Sequence, residues 1–157
     1  VNKEKITQDL LKELFYYREG KLFNRLKRHG KALADEEAGT LDKTGYRHIM
    51  IKRKWYYSHR LIYIYHNGEI ADGLHIDHID KTRLNNNIEN LRLVTHQENL
   101  FNTNAKGYYF NKANNKFLAQ IRLNGKQTHL GYFDTAEEAR ATYLEAKKEL
   151  HIIQERI

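Results

Sequence analysis

Three stretches of this 157-residue chain predict an α+β protein. Residues 75–102 carry a strand, loop, strand, helix pattern, residues 107–150 carry three strands and a helix, and the amino-terminal region is basic and rich in strand formers. A 40 % hydrophobic content supports a folded chain of one ordinary domain or two small ones. The segments read as 1–57, 58–105 and 106–157.

The first element is a short amphipathic helix, with Ile6, Leu10, Leu11 and Leu14 on one face behind Thr7 as cap. Phe15-Tyr16-Tyr17 and Lys21-Leu22-Phe23 flank Arg18-Glu19-Gly20, a strand and turn signal. Residues 27–40 are polar and read as a long loop, and 45–57 alternate as strand. Ser58 then opens a helix over His59 to His66 stopped by Asn67-Gly68, although its aromatic content leaves a strand open. Trp55, Tyr56 and Tyr57 are expected to pack beneath the strands as core.

His75 to Ile79 and Leu91 to Val94 predict a strand pair, followed by a helix with Thr95 as cap and Glu98 as its capping-box partner. Beyond a polar joint at 102–107, Tyr108 to Phe110, Phe117 to Leu123 and Gln127 to Phe133 read as strands. The last two meet at Asn124-Gly125, a tight-hairpin signal. Thr135 and Glu138 form a capping box for a final helix whose Ala139, Tyr143, Ala146 and Leu150 give one apolar stripe.

Composition bounds the chemistry. The chain has no Cys, which excludes disulfides, thiolate zinc sites and thiol nucleophiles. No apolar run reaches membrane-span length and the first residues are polar, so a soluble intracellular protein without membrane contact is expected. The net charge is +7, and residues 21–60 hold eleven Lys/Arg against four Asp/Glu, while the flanking stretches cancel. A localised basic excess suits a polyanion through phosphate contacts, or else serves solubility. Arg25, Lys27, Arg28, Lys31, Arg47, Lys52, Arg53 and Lys54 are the candidates to line a DNA duplex.

Within 75–102, Asp77 and His78 stand side by side. Neighbours on a strand point to opposite faces, so both can serve one site only at a strand end. Asp77 offers a hard carboxylate and Asn99 a neutral carbonyl, a sparse set that suits Mg²⁺ or Mn²⁺ completed by water and substrate oxygens. Histidine as a residue type has a reference pKa near neutrality, so His78 can act as general base, with Asn90 accepting its other ring N–H. Each signal has a plainer reading. Asn85, Asn86, Asn87 and Asn90 can shape a turn, and Asn99 can be an exposed helix residue. Their conjunction in one ββα context favours the site. His75 shares parity with Asp77 and either supports the site or braces the hairpin. Arg83 and Arg92 are phosphate-clamp candidates that can equally pair with Asp80 or Glu89.

The run Asp77-His78, Asn86-Asn87, Asn90-Leu91 and Asn99 resembles the HNH nucleases, in particular the phage and intron-encoded homing type with Asn in place of the final motif His. The resemblance implies a ββα-metal nuclease core in which Asp77 and Asn99 hold Mg²⁺, His78 is the base and Asn90 orients it. It further implies double-stranded DNA as substrate, with a 5′ phosphate and a 3′ hydroxyl as products, and a bacterial host cell if phage-encoded. One active site per chain favours nicking by a monomer. Residues 107–150 resemble the AP2 DNA-binding domain through Gly107-Tyr108, Phe117 to Ile121, Leu130 to Thr135 and Glu137-Glu138-Ala139. That likeness implies a sheet laid in the major groove, with Lys116, Gln120, Arg122, Lys126 and Thr128 as contacts, although Phe117 stands where the family has Trp. The alternatives are a silent DNA-binding or regulatory protein on the same scaffold, and an RNA-binding module, which lacks the expected paired aromatics.

Overall fold

The structure, a computed structural model, describes residues 5–28, 32–154 and 156; Lys31 lies outside the described residues. The chain divides into two compact units. The first runs to Thr95 and takes in residue 156, and the second is His96–Gln154, so the expected joint at 102–107 falls inside the second unit.

Helix α1 (Gln8–Leu14) opens the first unit, with the Thr7 hydroxyl accepting the Leu10 N–H as the sequence requires. The hairpin β1 (Phe15–Arg18) and β2 (Lys21–Asn24) turns at Glu19-Gly20, and then β3 (Thr40–Leu41), β4 (Arg47–Ile51) and β5 (Lys54–Tyr57) form an antiparallel sheet. The alternating run at 45–57 is therefore a hairpin, folded at Lys52-Arg53. Helix α2 (Ser58–Asn67) comes next, capped by Gly68 at φ 82°. The Gln8 amide ties the helices together by donating to the Tyr65 and His66 carbonyls.

The core of this unit gathers Leu11, Phe15, Leu22, Ile49, Ile51, Leu61 and Ile62 under Ile76, Leu91 and Leu93. Burial of this many aliphatic and aromatic side chains, each contributing about 1.5–3 kcal/mol, supplies the driving force. On β5 the two-residue period sends Tyr56 to this core and Trp55 and Tyr57 outward. The expectation that all three rings are core holds for Tyr56 alone, because only one face of a three-stranded sheet meets the core.

The hairpin that closes the first unit pairs β6 (Leu74–His78) with β7 (Leu91–Thr95), Asp77 opposite Arg92 and His78 opposite Leu91. Residues 79–90 form the long loop between them, ending in a 3-10 turn at Ile88–Asn90.

In the second unit, α3 (His96–Phe101) packs on the carboxy-terminal segment. The Phe101 ring stacks on His151 at 4.0 Å, and buried Glu98 accepts the Gln154 backbone N–H. Strands β8 (Tyr108–Asn111), β9 (Lys116–Leu123) and β10 (Lys126–Phe133) form an antiparallel sheet in the order β10-β9-β8, and α4 (Ala136–Leu150) carries the expected Thr135–Glu138 capping box. Ala119, Ile121, Ala139 and Tyr143 are buried here. Gly107, at φ 77°, must stay glycine because a Cβ would sit 2.0 Å from Tyr143 Cγ. No helix among the described residues is long and apolar enough to cross a membrane.

Candidate active site

His78 is the last residue of β6, and Asp77 precedes it; both are buried. The strand end is the one place where adjacent side chains can flank a single cleft. Opposite Asp77, Arg92 closes on the carboxylate, with Nε at 3.0 Å and Nη2 at 2.8 Å from Oδ2. Of the two roles open to Arg92, the structure displays an ion pair, made with Asp77 and not with Asp80 or Glu89.

The His78 ring is held by Asn86. Its Nε2 lies 2.8 Å from the Asn86 Oδ1 in a buried contact, so Nε2 carries the proton and donates, which puts the basic lone pair on Nδ1. Asn90, expected in this role, is used elsewhere. Its amide nitrogen donates to Asp80 Oδ1 (2.9 Å) and to the Asn85 carbonyl (2.7 Å), and its Oδ1 accepts the Asp80 N–H. The correction has a simple cause. Asn90 sits at the base of the loop, within reach of the residues that enter it, while Asn86 lies deep in the loop where the chain turns back over the imidazole.

Asp80 is the hub of that loop. It accepts from the Thr82 N–H (2.8 Å), the Asn85 amide (2.7 Å) and the Asn90 amide, and these bonds, the Asn85 amide first, hold its carboxyl down to about 2. The Tyr17 hydroxyl accepts the Ile88 N–H from below, and Gly20, at φ 74°, leaves room for the Asn87 backbone.

A second imidazole, missed in the sequence, borders the site. His59 on α2 is 8 % exposed and meets the His78 ring edge-on at 5.1 Å; burial, with His78 a smaller cause, pushes its pKa down to about 3, so it stays neutral. Tyr57 stacks on His59 at 5.3 Å, and Tyr46 packs on both at 5.4 Å. His48 meets Tyr57 edge-on at 4.4 Å, and its Nε2 lies 2.9 Å from Asp42 Oδ2. The Asp42 carboxyl is lowered, first by the Thr44 hydroxyl. The only advance signal was a histidine just inside the start of an apolar helix.

The other candidates fall into place around this centre. Arg83 lies over the Tyr46 ring at 5.1 Å and donates to the Thr44 carbonyl. His75 is exposed on β6. Asn99 is half-buried on α3 of the second unit. Arg25 donates to the Lys12 and Phe15 carbonyls, and Arg28 to the Met50 carbonyl (2.6 Å), so both guanidinium groups brace the fold. Arg47 is likewise drawn in, to Glu37 at 2.9 Å. Lys27, Lys52, Arg53 and Lys54 are exposed.

On the second unit's sheet, the register places Lys116, Gln120 and Arg122 on one face with Gln127, whose amide bridges them by accepting from Arg122 and donating to Gln120. Lys126 and Thr128 have the opposite parity.

The fit of a metal ion is decided by the donors. No group of three or more His, Asp or Glu able to hold an ion is found among the described residues. The buried carboxylate of the site already shares its charge with Arg92. Such a donor set fits a hard ion that keeps most of its shell as water and phosphate oxygen, and does not fit a cage built from protein ligands.

A ββ hairpin with a buried imidazole at its strand end, a carboxylate beside it and an asparagine-pinned loop defines a class of site, and comparison places it. The sequence pattern of the HNH endonuclease family matches residues 56–100, from β5 into α3. The chain is 34 % identical over 115 residues to "Uncharacterized HNH endonuclease L560" of Acanthamoeba polyphaga mimivirus, covering 60 % of this chain and 61 % of that one. It is 32 % identical over 93 residues to "Protein 3.8" of Escherichia phage T7, covering 54 % and 76 %. A protein named for an SPbeta prophage-derived HNH homing endonuclease, YosQ of Bacillus subtilis (strain 168), is 40 % identical over 55 residues, covering 35 % and 32 %. The chain belongs to the HNH endonuclease family. It spans about three fifths of the mimivirus relative. No solved structure matches it.

Proposed function

We propose that this chain is a metal-dependent endonuclease that hydrolyses phosphodiester bonds in double-stranded DNA, of the homing type and nicking one strand as a monomer. The observation that carries the reading is the buried 2.8 Å contact of His78 with Asn86, one residue from a carboxylate locked by Arg92. A silent binding scaffold has no need of an imidazole fixed in one tautomer.

In this reading His78 Nδ1 removes a proton from water as the water oxygen attacks phosphorus. The P–O3′ bond breaks, and the 3′ oxygen takes a proton from solvent, which leaves a 5′ phosphate and a 3′ hydroxyl. Asn86 keeps the ring from rotating during the transfer. Asp77 would hold the ion, Mg²⁺ or Mn²⁺, oriented by Arg92; Asn99, carried by another unit, enters as its partner ligand on the sequence resemblance alone. When bound, the ion supplies neutralisation of the charge that builds on phosphate and leaving oxygen. Asn90 acts at one remove by fixing the loop through Asp80.

The second unit is proposed to be an AP2-like DNA-binding module that raises the local concentration of the nuclease on its target. Lys116, Gln120 and Arg122 are its contacts, and Lys126 and Thr128 belong to the opposite parity. Arg53 and Lys54 are proposed phosphate contacts of the first unit, joined by Lys27 and Lys52.

The test is incubation with long duplex DNA and Mg²⁺ or Mn²⁺, with and without chelator, beside His78→Ala and Asp77→Ala. Strand breaks are expected from the wild type with metal only. Intact DNA that is nevertheless bound would favour the silent scaffold.

A further inference from the structure

The outward face of the β3-β4-β5 sheet carries side chains that solubility does not explain. Trp55 is 55 % exposed and Met50 44 %, and they are cross-strand partners; His48 and Tyr57 form the next pair along. Beside Trp55, an open recess of about 220 Å³ is lined by Thr40, Asp42 and His48. The hairpin folds through Lys52 and Arg53, both left-handed at φ 47° and 64°. Two-residue turns of this kind favour Asn-Gly, since a side chain strains each position, yet here both positions and the next one, Lys54, are cationic.

Cations beside upward-facing rings are what an exposed nucleobase and its phosphates require, because every base has a π-face to stack and every step a charge to hold. The same face runs on to the candidate active site. Tyr57 stacks on His59 and His59 abuts His78, at 5.3 and 5.1 Å.

We propose that this face is a base-stacking platform, on which Trp55 stacks against a nucleobase drawn out of the duplex near the cut while Arg53, at the turn beside it, holds a flanking phosphate; Lys54 shares parity with Tyr56 and belongs to the other face. The path from Trp55 to His78, two strand residues and two ring contacts, bounds their separation at about 17 Å, no more than about five base steps. The platform would bend or open DNA locally, as apolar wedges do elsewhere. The position of the cut rests on the nuclease reading; the stacking does not.

Trp55 is the single tryptophan of the chain, so its emission reports on this face alone. The intact protein in EDTA at low salt is titrated with a 30-bp mixed-sequence duplex, and binding is followed in parallel by anisotropy of a labelled duplex. Quenching of Trp55 that tracks the anisotropy is expected. Trp55→Ala should weaken binding roughly 5- to 100-fold and Trp55→Phe should restore most of it. Binding with unchanged emission, or Trp55→Ala binding like wild type, overturns the proposal. So does an emission shift that tracks protein concentration without DNA, which would seat a second copy on the face. Cleavage with Mg²⁺ is measured separately. Quenching without cleavage keeps the platform and removes the nuclease, and cleavage with silent emission does the reverse.

Discussion

Replacing Asn86 by alanine removes the buried side-chain contact that holds His78, the proposed general base. The amide and the imidazole are 4 % and 6 % exposed and 2.8 Å apart, so the substitution strands the His78 Nε2–H away from water. A buried donor left without an acceptor costs about 1–3 kcal/mol. In a unit of roughly 95 residues that lowers Tm by something on the order of 5–15 °C. The imidazole itself survives but can rotate, and loss of such an orienting partner typically costs about 10- to 100-fold in activity. His78→Ala, which removes the proposed proton acceptor, should cost more, about 10²- to 10⁴-fold. Single-turnover nicking of supercoiled plasmid, with protein in excess and Mg²⁺ present, measures both variants against wild type. If Asn86→Ala cleaves within twofold of wild type and melts where wild type melts, Asn86 does not hold the ring and the reasoning fails.

Two other outcomes concern neighbouring residues. Arg92→Met takes the guanidinium away from the buried Asp77 carboxylate and should destabilise the first unit by about 3 kcal/mol, an effect largely relieved in the Asp77→Asn/Arg92→Met double variant; urea unfolding of both would expose the pairing as idle if the single variant were neutral. His59 has a folded-state pKa of about 3 against an ordinary value of 6.5, so its unfolded form binds the extra proton. Its contribution to stability is intact above about pH 6.5 and falls by up to about 1.4 kcal/mol per pH unit as pH drops towards 3; a His59→Gln variant whose unfolding free energy keeps the wild-type slope across pH 6 to 4 would contradict this.

Regular elements were legible where local chemistry is decisive. Thr7 and Thr135 cap helices because their hydroxyls satisfy open N–H groups, and Asn124-Gly125 turns a hairpin because both residues tolerate positive φ. The turn at Lys52-Arg53 was invisible for the converse reason. Neither residue favours that conformation, and the pairing of Ile49 and Ile51 over the core imposes it. The same blindness hid the exposure of Trp55, since a strand of aromatics looks like core until the turn sets its parity. At the site, the types and spacing of Asp77, His78 and the asparagines could be read, but which asparagine meets the imidazole depends on the path of a twelve-residue loop that no periodicity encodes. His59 reaches His78 only through the packing of α2 beside the hairpin, a relation between distant segments.

The loop tied by Asp80 has one more implication. Asp80, Asn85 and Asn90 fasten its two ends to each other, Asn86 reaches the imidazole from inside it, and Arg92 meets Asp77 across a single rung, all within sixteen consecutive residues. Such a segment carries most of its own alignment. Beyond its own bonds it leans on the first unit for an apolar bed under Ile76, Leu91 and Leu93 and for the Tyr17 hydroxyl beneath Ile88.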